Sequence, residues 1–170
     1  MAVANVKRPA VVRYGGAKEQ RFTYTNGATL ALAMGDLVRI TTSGTVEVAL
    51  ASAAGAVHGM ALEAAVAGAE VSVLLFTTDT VVALSAIDAV VPTTSLKKGV
   101  AYTLELGTSP NEFGVTATAT SGIALVEDYE STGQPWNDTT STYSPDSSTA
   151  GGTVLVRFSA ATLDGSAAAA

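Results

Sequence analysis

The chain contains no cysteine and only one histidine among its 170 residues. Disulfide bonds, thiolate metal sites and Cys–His nucleophile pairs are therefore excluded, and the His or Cys cluster of a zinc site is missing. Any Ser–His–acid triad would have to use His58, but no Gly-x-Ser-x-Gly turn accompanies it. We interpret His58 as a structural residue and predict that the protein is not an enzyme.

Sites for other cofactors are equally scarce in the sequence. The acids Glu127, Asp128 and Glu130, with Asp138 and Asp146, lack the spacing and central glycine of an EF-hand loop, so we interpret them as a solvated acidic edge. The two Gly-Gly pairs are not followed by the Lys-Ser/Thr of a phosphate-binding loop. No metal or cofactor is predicted.

Charged residues are few, at 14% of the chain, whereas 48% of the residues are apolar. An average soluble protein has about 25% charged residues. A surface with so few charges repels its neighbours weakly, which favours burial against partner subunits. We therefore expect this protein to assemble, with itself or with other proteins.

The basic residues are concentrated at the N-terminus, although the net charge is −6. The predicted partner-binding arm, residues 1–20 together with the following arginine, comprises Lys7, Arg8, Pro9, Arg13, Tyr14, Lys18 and Arg21. Because the acidic body would repel phosphate groups, nucleic acid is not an expected partner. We expect the arm to extend over an acidic protein surface, such as that of a neighbouring subunit.

Long hydrophobic runs are also missing. The N-terminus has no apolar core of a signal peptide, and the runs at 71–76 and 81–84 are too short to span a bilayer. The sequence therefore predicts neither secretion nor a membrane partner.

Short strands dominate the pattern, and helical signals are weak apart from one possible turn at 63–66. Alternating apolar residues and intervening turn residues predict ten strands, at 21–25, 36–41, 45–50, 57–62, 71–77, 80–84, 101–106, 114–120, 123–128 and 153–159. Such spacing is typical of a β-barrel or a β-sandwich. The predicted fold class is all-β.

An internal echo indicates two related β units. The step from Gly35 to Gly59 is 24 residues, and the step from Gly99 to Gly122 is 23, with similar strands around each glycine. We predict a first unit at 21–92, a second at 93–163 and a frayed tail at 164–170. One barrel built from two halves and two packed units both remain open.

The second unit contains a long polar loop at 129–152. Loops of more than about 12–15 residues are usually functional or disordered. This one holds Gln134, Trp136 and Tyr143, including the only tryptophan of the chain. The tryptophan either anchors the loop on its own domain or docks into a partner, and the three residues form a second predicted partner-binding group.

The first-half pattern resembles the small capsid decoration (cement) proteins of tailed bacteriophages. The resemblance covers about residues 22–84 and, more loosely, 96–158, and it is carried by Gly35-Asp36-Leu37-Val38, Gly59-Met60-Ala61 and Gly68-Ala69-Glu70-Val71. It implies a β-barrel or sandwich on the outside of the head. It also implies homotrimers that bridge subunits of the major capsid protein, are made in the host cytoplasm and have no catalytic residues.

Two other functions stay open. One is a ligand-binding sandwich module, such as a carbohydrate-binding one, for which Tyr102, Tyr129, Trp136 and Tyr143 would supply a concave aromatic face. The other is a head-fibre component of a virion. An enzyme is the weakest of the possible functions.

Overall fold

The computed structural model describes residues 9–13, 20–27, 31–49, 57–87, 90–106, 113–120, 122–129, 136–137, 142–143, 150–159 and 163. The fold is all-β, as predicted, and every one of the ten predicted segments contains a strand. The strands are β1 (Ala10–Arg13), β2 (Gln20–Thr25), β3 (Leu37–Ile40), β4 (Val46–Val48), β5 (Gly59–Ala61), β6 (Glu70–Leu75), β7 (Val81–Ala86), β8 (Ala101–Tyr102), β9 (Leu104–Leu106), β10 (Phe113–Val115), β11 (Ala124–Tyr129), β12 (Trp136–Asn137), β13 (Thr142–Tyr143) and β14 (Thr153–Phe158).

One short helix, α1 (Pro92–Ser95), precedes β8 and begins with proline. Proline suits this position because the first helical residues need no N–H donor. The helical turn predicted at 63–66 is wrong. Ala65 instead forms an isolated antiparallel bridge with Leu32, and backbone hydrogen bonds run both ways between them.

The first sheet contains five strands in the order β2-β6-β5-β3-β4, and all its ladders are antiparallel. Alternation explains which face it buries, because successive side chains of a strand point to opposite sides. In β6, Val71 and Val73 are fully buried, whereas Ser72 between them is only partly covered. We call residues 20–75 the first unit.

The second sheet contains seven strands. Six of them follow the order β8-β11-β14-β7-β10-β9, and β1 pairs additionally with β7. The strands at the two ends of this order, β8 and β9, are consecutive in the chain and separated only by Thr103, so the sheet is strongly curled. Its edges do not pair to close a barrel, and the two sheets together resemble a sandwich. We call residues 81–158 the second unit. Because β7 lies in this sheet, strand pairing places the boundary between the units before β7, upstream of position 92.

The two units pair their strands in the same order. Within each, the first strand pairs with the fifth, the fifth with the fourth, the fourth with the second, and the second with the third, always antiparallel. The corresponding strands are β2 and β7, β3 and β8–β9, β4 and β10, β5 and β11, and β6 and β14. The two halves of the chain therefore have one topology.

A short parallel contact links the first and third strands of each unit. In the first unit, the Gly27 N–H donates to the Val46 carbonyl at 2.8 Å, and in the second, the Ile87 N–H donates to the Val115 carbonyl at 3.1 Å. A glycine permits the close approach in both: a Cβ at Gly27 would lie 2.3 Å from Thr45 Oγ1, and one at Gly114 would lie 2.1 Å from Ile87 Cγ2.

Matching hydrogen bonds fix the register of the repeat. In the first unit the Gly35 N–H donates to the Ala61 carbonyl, and in the second the Gly99 N–H donates to the Val126 carbonyl. Both glycines have positive φ, at 90° and 79°. The predicted match of Gly59 with Gly122 is shifted by two residues. Gly59 pairs with Val38 as Ala124 pairs with Tyr102, so Ala124 is its structural counterpart.

The sheets share one core. Leu37, Ala49, Val57 and Phe76 pack in the same buried cluster as the interior of the second unit. The Phe76 ring stacks on Phe158 with the centroids 5.9 Å apart. A smaller cluster of valine, leucine and alanine fills the interior of the first unit. The shared core ties the two units into one body.

Candidate functional site

The predicted arm is described at residues 9–13 and at 20–21, and its first described part contains β1, a strand of the second sheet. β1 runs antiparallel to β7, with Ala10 opposite Ala83, Val11 opposite Val82 and a bulge before Arg13. Val11 packs against the core of the second unit, and Pro9 just before it is buried. The segment therefore lies along its own domain from Pro9 to Arg13.

An ion-pair network fixes the end of β1. Arg13 Nη2 lies 2.7 Å from Glu127 Oε1, and Glu127 Oε2 lies 2.7 Å from Arg157 Nε. Arg157 also approaches Asp79, at 3.7 Å. Glu127 thus accepts a hydrogen bond from Arg13 on one oxygen and forms an ion pair with Arg157, without a well-directed hydrogen bond, on the other. In this way Glu127 joins β1 to the β11–β14 ladder.

The corresponding strand of the first unit is differently covered. β2 is the first strand of its sheet, and no described strand pairs with it on the side opposite β6, apart from the bridge between Asn26 and Val46. We call this side the β2 edge. The Asn26 N–H donates towards β6, so by alternation the N–H and C=O of Thr23 face away from β6. No described group bonds them.

Side-chain exposure at matched positions agrees with this difference. Strand register makes Phe22 the counterpart of Val82, because they pair with Val73 and Val156 respectively. Val82 is 0% exposed, whereas Phe22 is 51% exposed. β1 lies beside Val82 on the side away from β14, whereas no described strand lies beside Phe22 on the side away from β6.

A cavity of about 240 Å³ lies beside the β2 edge. It is lined by Arg21, Phe22, Thr23, Leu62, Glu63 and Ser72. One carboxylate oxygen of Glu63 accepts the Ser72 N–H at 2.8 Å. Hydrogen bonding from the Ser72 side chain, together with this N–H, lowers the pKa of Glu63 below its ordinary value. Glu63 is exposed and anionic at neutral pH, so the cavity places a negative charge beside the β2 backbone. The Phe22 side chain points to the opposite face of the sheet, because Phe22 pairs with buried Val73 whereas Thr23 pairs with Ser72.

A second charged contact lies at the far end of β11. Lys98 Nζ is 2.5 Å from Asp128 Oδ1 and 5.2 Å from the centre of the Tyr129 ring. The ion pair raises the pKa of Lys98 and lowers the pKa of Asp128. Both side chains are more than half exposed, so the pair contributes little to stability.

The other predicted partner-binding residues are distributed as follows. Arg21 lies on exposed β2 at the cavity. Trp136 and Tyr143 are opposite each other in the two-stranded β12–β13 ladder, which organises part of the long loop as a hairpin. The remaining predicted residues, Lys7, Arg8, Tyr14, Lys18 and Gln134, lie outside the described residues.

Two of the tyrosines proposed for a ligand-binding face, Tyr102 and Tyr129, make internal contacts. Tyr102 is 4% exposed, and its hydroxyl accepts the Lys97 N–H. The Tyr129 hydroxyl donates to the Leu96 carbonyl at 2.7 Å, with Lys98 over its ring. Both hydroxyls therefore hold the segment that leads into β8.

His58 has the structural role that the sequence indicated. Its Nδ1 accepts the Ile40 N–H at 2.8 Å, which links β3 to the start of β5. In the described ranges, no group of three or more His, Asp or Glu side chains is placed to hold a metal ion. No described helix has the length and apolar character of a membrane span.

β1 was not among the strands predicted from the sequence. Nor did the sequence indicate that a strand would cover the outer side of β7 while no described strand covers that of β2. Ala10-Val11-Val12 between Pro9 and Gly15-Gly16 is a short apolar run bounded by turn residues, which was a usable signal for a strand. Its partner strand lies some seventy positions away, and nothing local specifies that pairing.

Comparison with known proteins gives no relative: no family model matches the chain, and no curated protein or solved structure shows significant similarity to it.

Proposed function

We propose that this protein is a non-enzymatic structural protein that works by binding other proteins, and specifically that it decorates the outside of a tailed-phage head. In this role it bridges subunits of the major capsid protein and stabilises the shell as a homotrimer. It is made in the host cytoplasm and carried on the virion surface.

The observation that carries the proposal is the placement of the N-terminal segment as an added strand. β1 covers an edge of the second unit with backbone pairing and one anchored cation. Strand addition is a common way for extended segments to bind a sheet. Modest contacts of this kind, repeated over many copies, suit a protein that binds a regular lattice.

The composition supports the same function. With 14% charged residues, little of the surface opposes contact with another protein. The basic residues before β1, Lys7 and Arg8, extend the cationic segment beyond the strand. We propose that this extension contacts an acidic surface of the capsid or of a sister subunit.

The test is light scattering of the purified protein, alone and with expanded, undecorated phage heads, followed by sedimentation. We expect a trimer, or a monomer that trimerises on heads, and saturable co-sedimentation. Since β1 belongs to the sheet, the arm variant should lack only residues 1–8, and it should bind heads more weakly while keeping its fold. A monomer that ignores every head preparation would contradict the proposed function.

A further inference from the structure

We infer that the β2 edge is a binding site for an extended strand of a separate partner protein, and that this strand carries an apolar residue followed two positions later by a cation. The partner strand would add to the first unit as β1 adds to the second. This site would add to the proposed function a surface that binds a strand of another protein. The argument for it comes from the structural repeat and does not depend on whether the protein belongs to a phage.

The repeat supplies the geometry of the site. Phe22 and Thr23 correspond in register to Val82 and Ala83, which lie opposite Val11 and Ala10 of β1. The outward N–H and C=O of Thr23 are thus oriented like the groups of Ala83 that pair with β1. An incoming antiparallel strand would bond them and cover Phe22, which is now 51% exposed.

The side chains expected in the partner strand follow from those of β1, which covers the corresponding edge of the second unit. In β1, Val11 packs on the core, and a bulge sets Arg13 opposite Val81, on the other face, where it binds Glu127 at 2.7 Å. At the β2 edge, Phe22 lies on the core face and lacks an apolar partner among the described strands on its outer side, and Glu63 lines the cavity on the other face with one oxygen bonded to Ser72. The Glu63 carboxylate is exposed and can accept hydrogen bonds beyond those from Ser72, so a cation of the incoming strand can bind it.

Counting strands indicates that the occupant is another protein. Each chain has two corresponding edges but one β1, and that strand already covers β7. A second copy that lent its β1 would uncover its own β7 edge, with no net gain in strand pairing. A different chain with its own extended segment leaves both edges covered.

The probe is a labelled synthetic peptide with the sequence of residues 6–14, which carries the Val-Val-Arg pattern. It is titrated into the full-length protein by fluorescence anisotropy, and amide exchange maps where it binds. We expect saturable binding and new protection of the Thr23 amide. Thr23→Pro removes the outward N–H, and Glu63→Lys reverses the charge. Each should weaken peptide binding by about tenfold or more.

The matched control is Glu105→Lys, an exposed carboxylate on β9 of the other unit, which should bind the peptide like the original protein. Circular dichroism confirms the fold of each variant, and Glu63→Lys keeps the test valid if Thr23→Pro does not fold.

Equal peptide binding by all variants would overturn the inference. So would loss of protection in β1 on peptide addition, which would place the peptide on β7. Self-association of the protein that Thr23→Pro abolishes would assign the edge to a second copy instead. Co-sedimentation with phage heads does not depend on these results. A negative result for peptide binding would therefore contradict the strand-binding site without contradicting the proposed function.

Discussion

The first and second units have the same strand pairing but differ in their interiors and at their outer edges. The second unit is filled with large side chains such as Phe113 and Phe158, and β1 covers its first strand. The first unit is filled mainly by valine and alanine, and no described strand covers β2 in the same way. The comparison teaches that one topology can serve as a stable base in one copy and as a contact surface in the other.

The largest expected effect separates the two interiors. Phe158 and Leu75 are counterparts, because they pair with Ala124 and Gly59. Phe158→Ala removes a buried ring that stacks on Phe76, so it should lower the free energy of unfolding by about 3–5 kcal/mol. Leu75→Ala, at a half-buried position, should cost about half as much or less. Urea denaturation measures both, and equal losses would show that the interiors do not differ as described.

A second pair of substitutions tests the repeat itself. Gly68 and Gly151 occupy the same turn before β6 and β14, and both have φ of 78°. Because a left-handed backbone costs a residue with a Cβ about 1–2 kcal/mol, Gly68→Ala and Gly151→Ala should destabilise the protein by similar amounts of that size. Thermal or urea unfolding of the two variants checks this. A neutral result at one glycine only would break the structural equivalence.

A third substitution would make the two edges alike. Val11→Asp places a charge where β1 packs against the core, so β1 should detach from β7 at a cost of about 1–3 kcal/mol. The Ala83 amide should then exchange with solvent nearly as fast as that of Thr23. Val12→Asp is the control, because Val12 is exposed on the same strand. If Val11→Asp left Ala83 protected, the pairing of β1 with β7 would be wrong.

The smallest effect is the pH response of the ion pair between Lys98 and Asp128. The pKa of Asp128 is lowered in the folded protein, so its small contribution is present above the ordinary carboxyl pKa and disappears as the pH falls through the lowered one. Lys98→Met should raise the pKa of Asp128 towards its ordinary value. An NMR titration of the carboxyl carbon measures it, and an unchanged midpoint would assign the shift to the neighbouring backbone alone.

The strands were predictable because they depend on local alternation. Val71 and Val73 alternate with Ser72 in the sequence as they do between core and surface in the structure. The echo of the two halves was visible for the same reason, since Gly35 and Gly99 open corresponding strands.

The register of the echo was not predictable from glycine alone. Gly59 and Gly122 each lie close to a carbonyl oxygen, at 2.3 Å from an added Cβ, but the carbonyls belong to Leu74 and Ala101 on non-equivalent strands. The two glycines therefore make different contacts and are not structural counterparts. The sequence also could not predict that β1 covers the edge of β7, because this pairing joins distant parts of the chain and depends on the whole fold.

Amide hydrogen exchange of Thr23 and Ala83 in the free protein tests the central claim most directly. The two amides occupy corresponding positions on β2 and β7, and among the described strands only β1, opposite Ala83, pairs with either amide on its outer side. The account predicts fast exchange at Thr23 and strong protection at Ala83, measured by NMR under conditions where the fold is stable. Equal protection at both positions would contradict the claim that the two units differ in which edge is open to a partner.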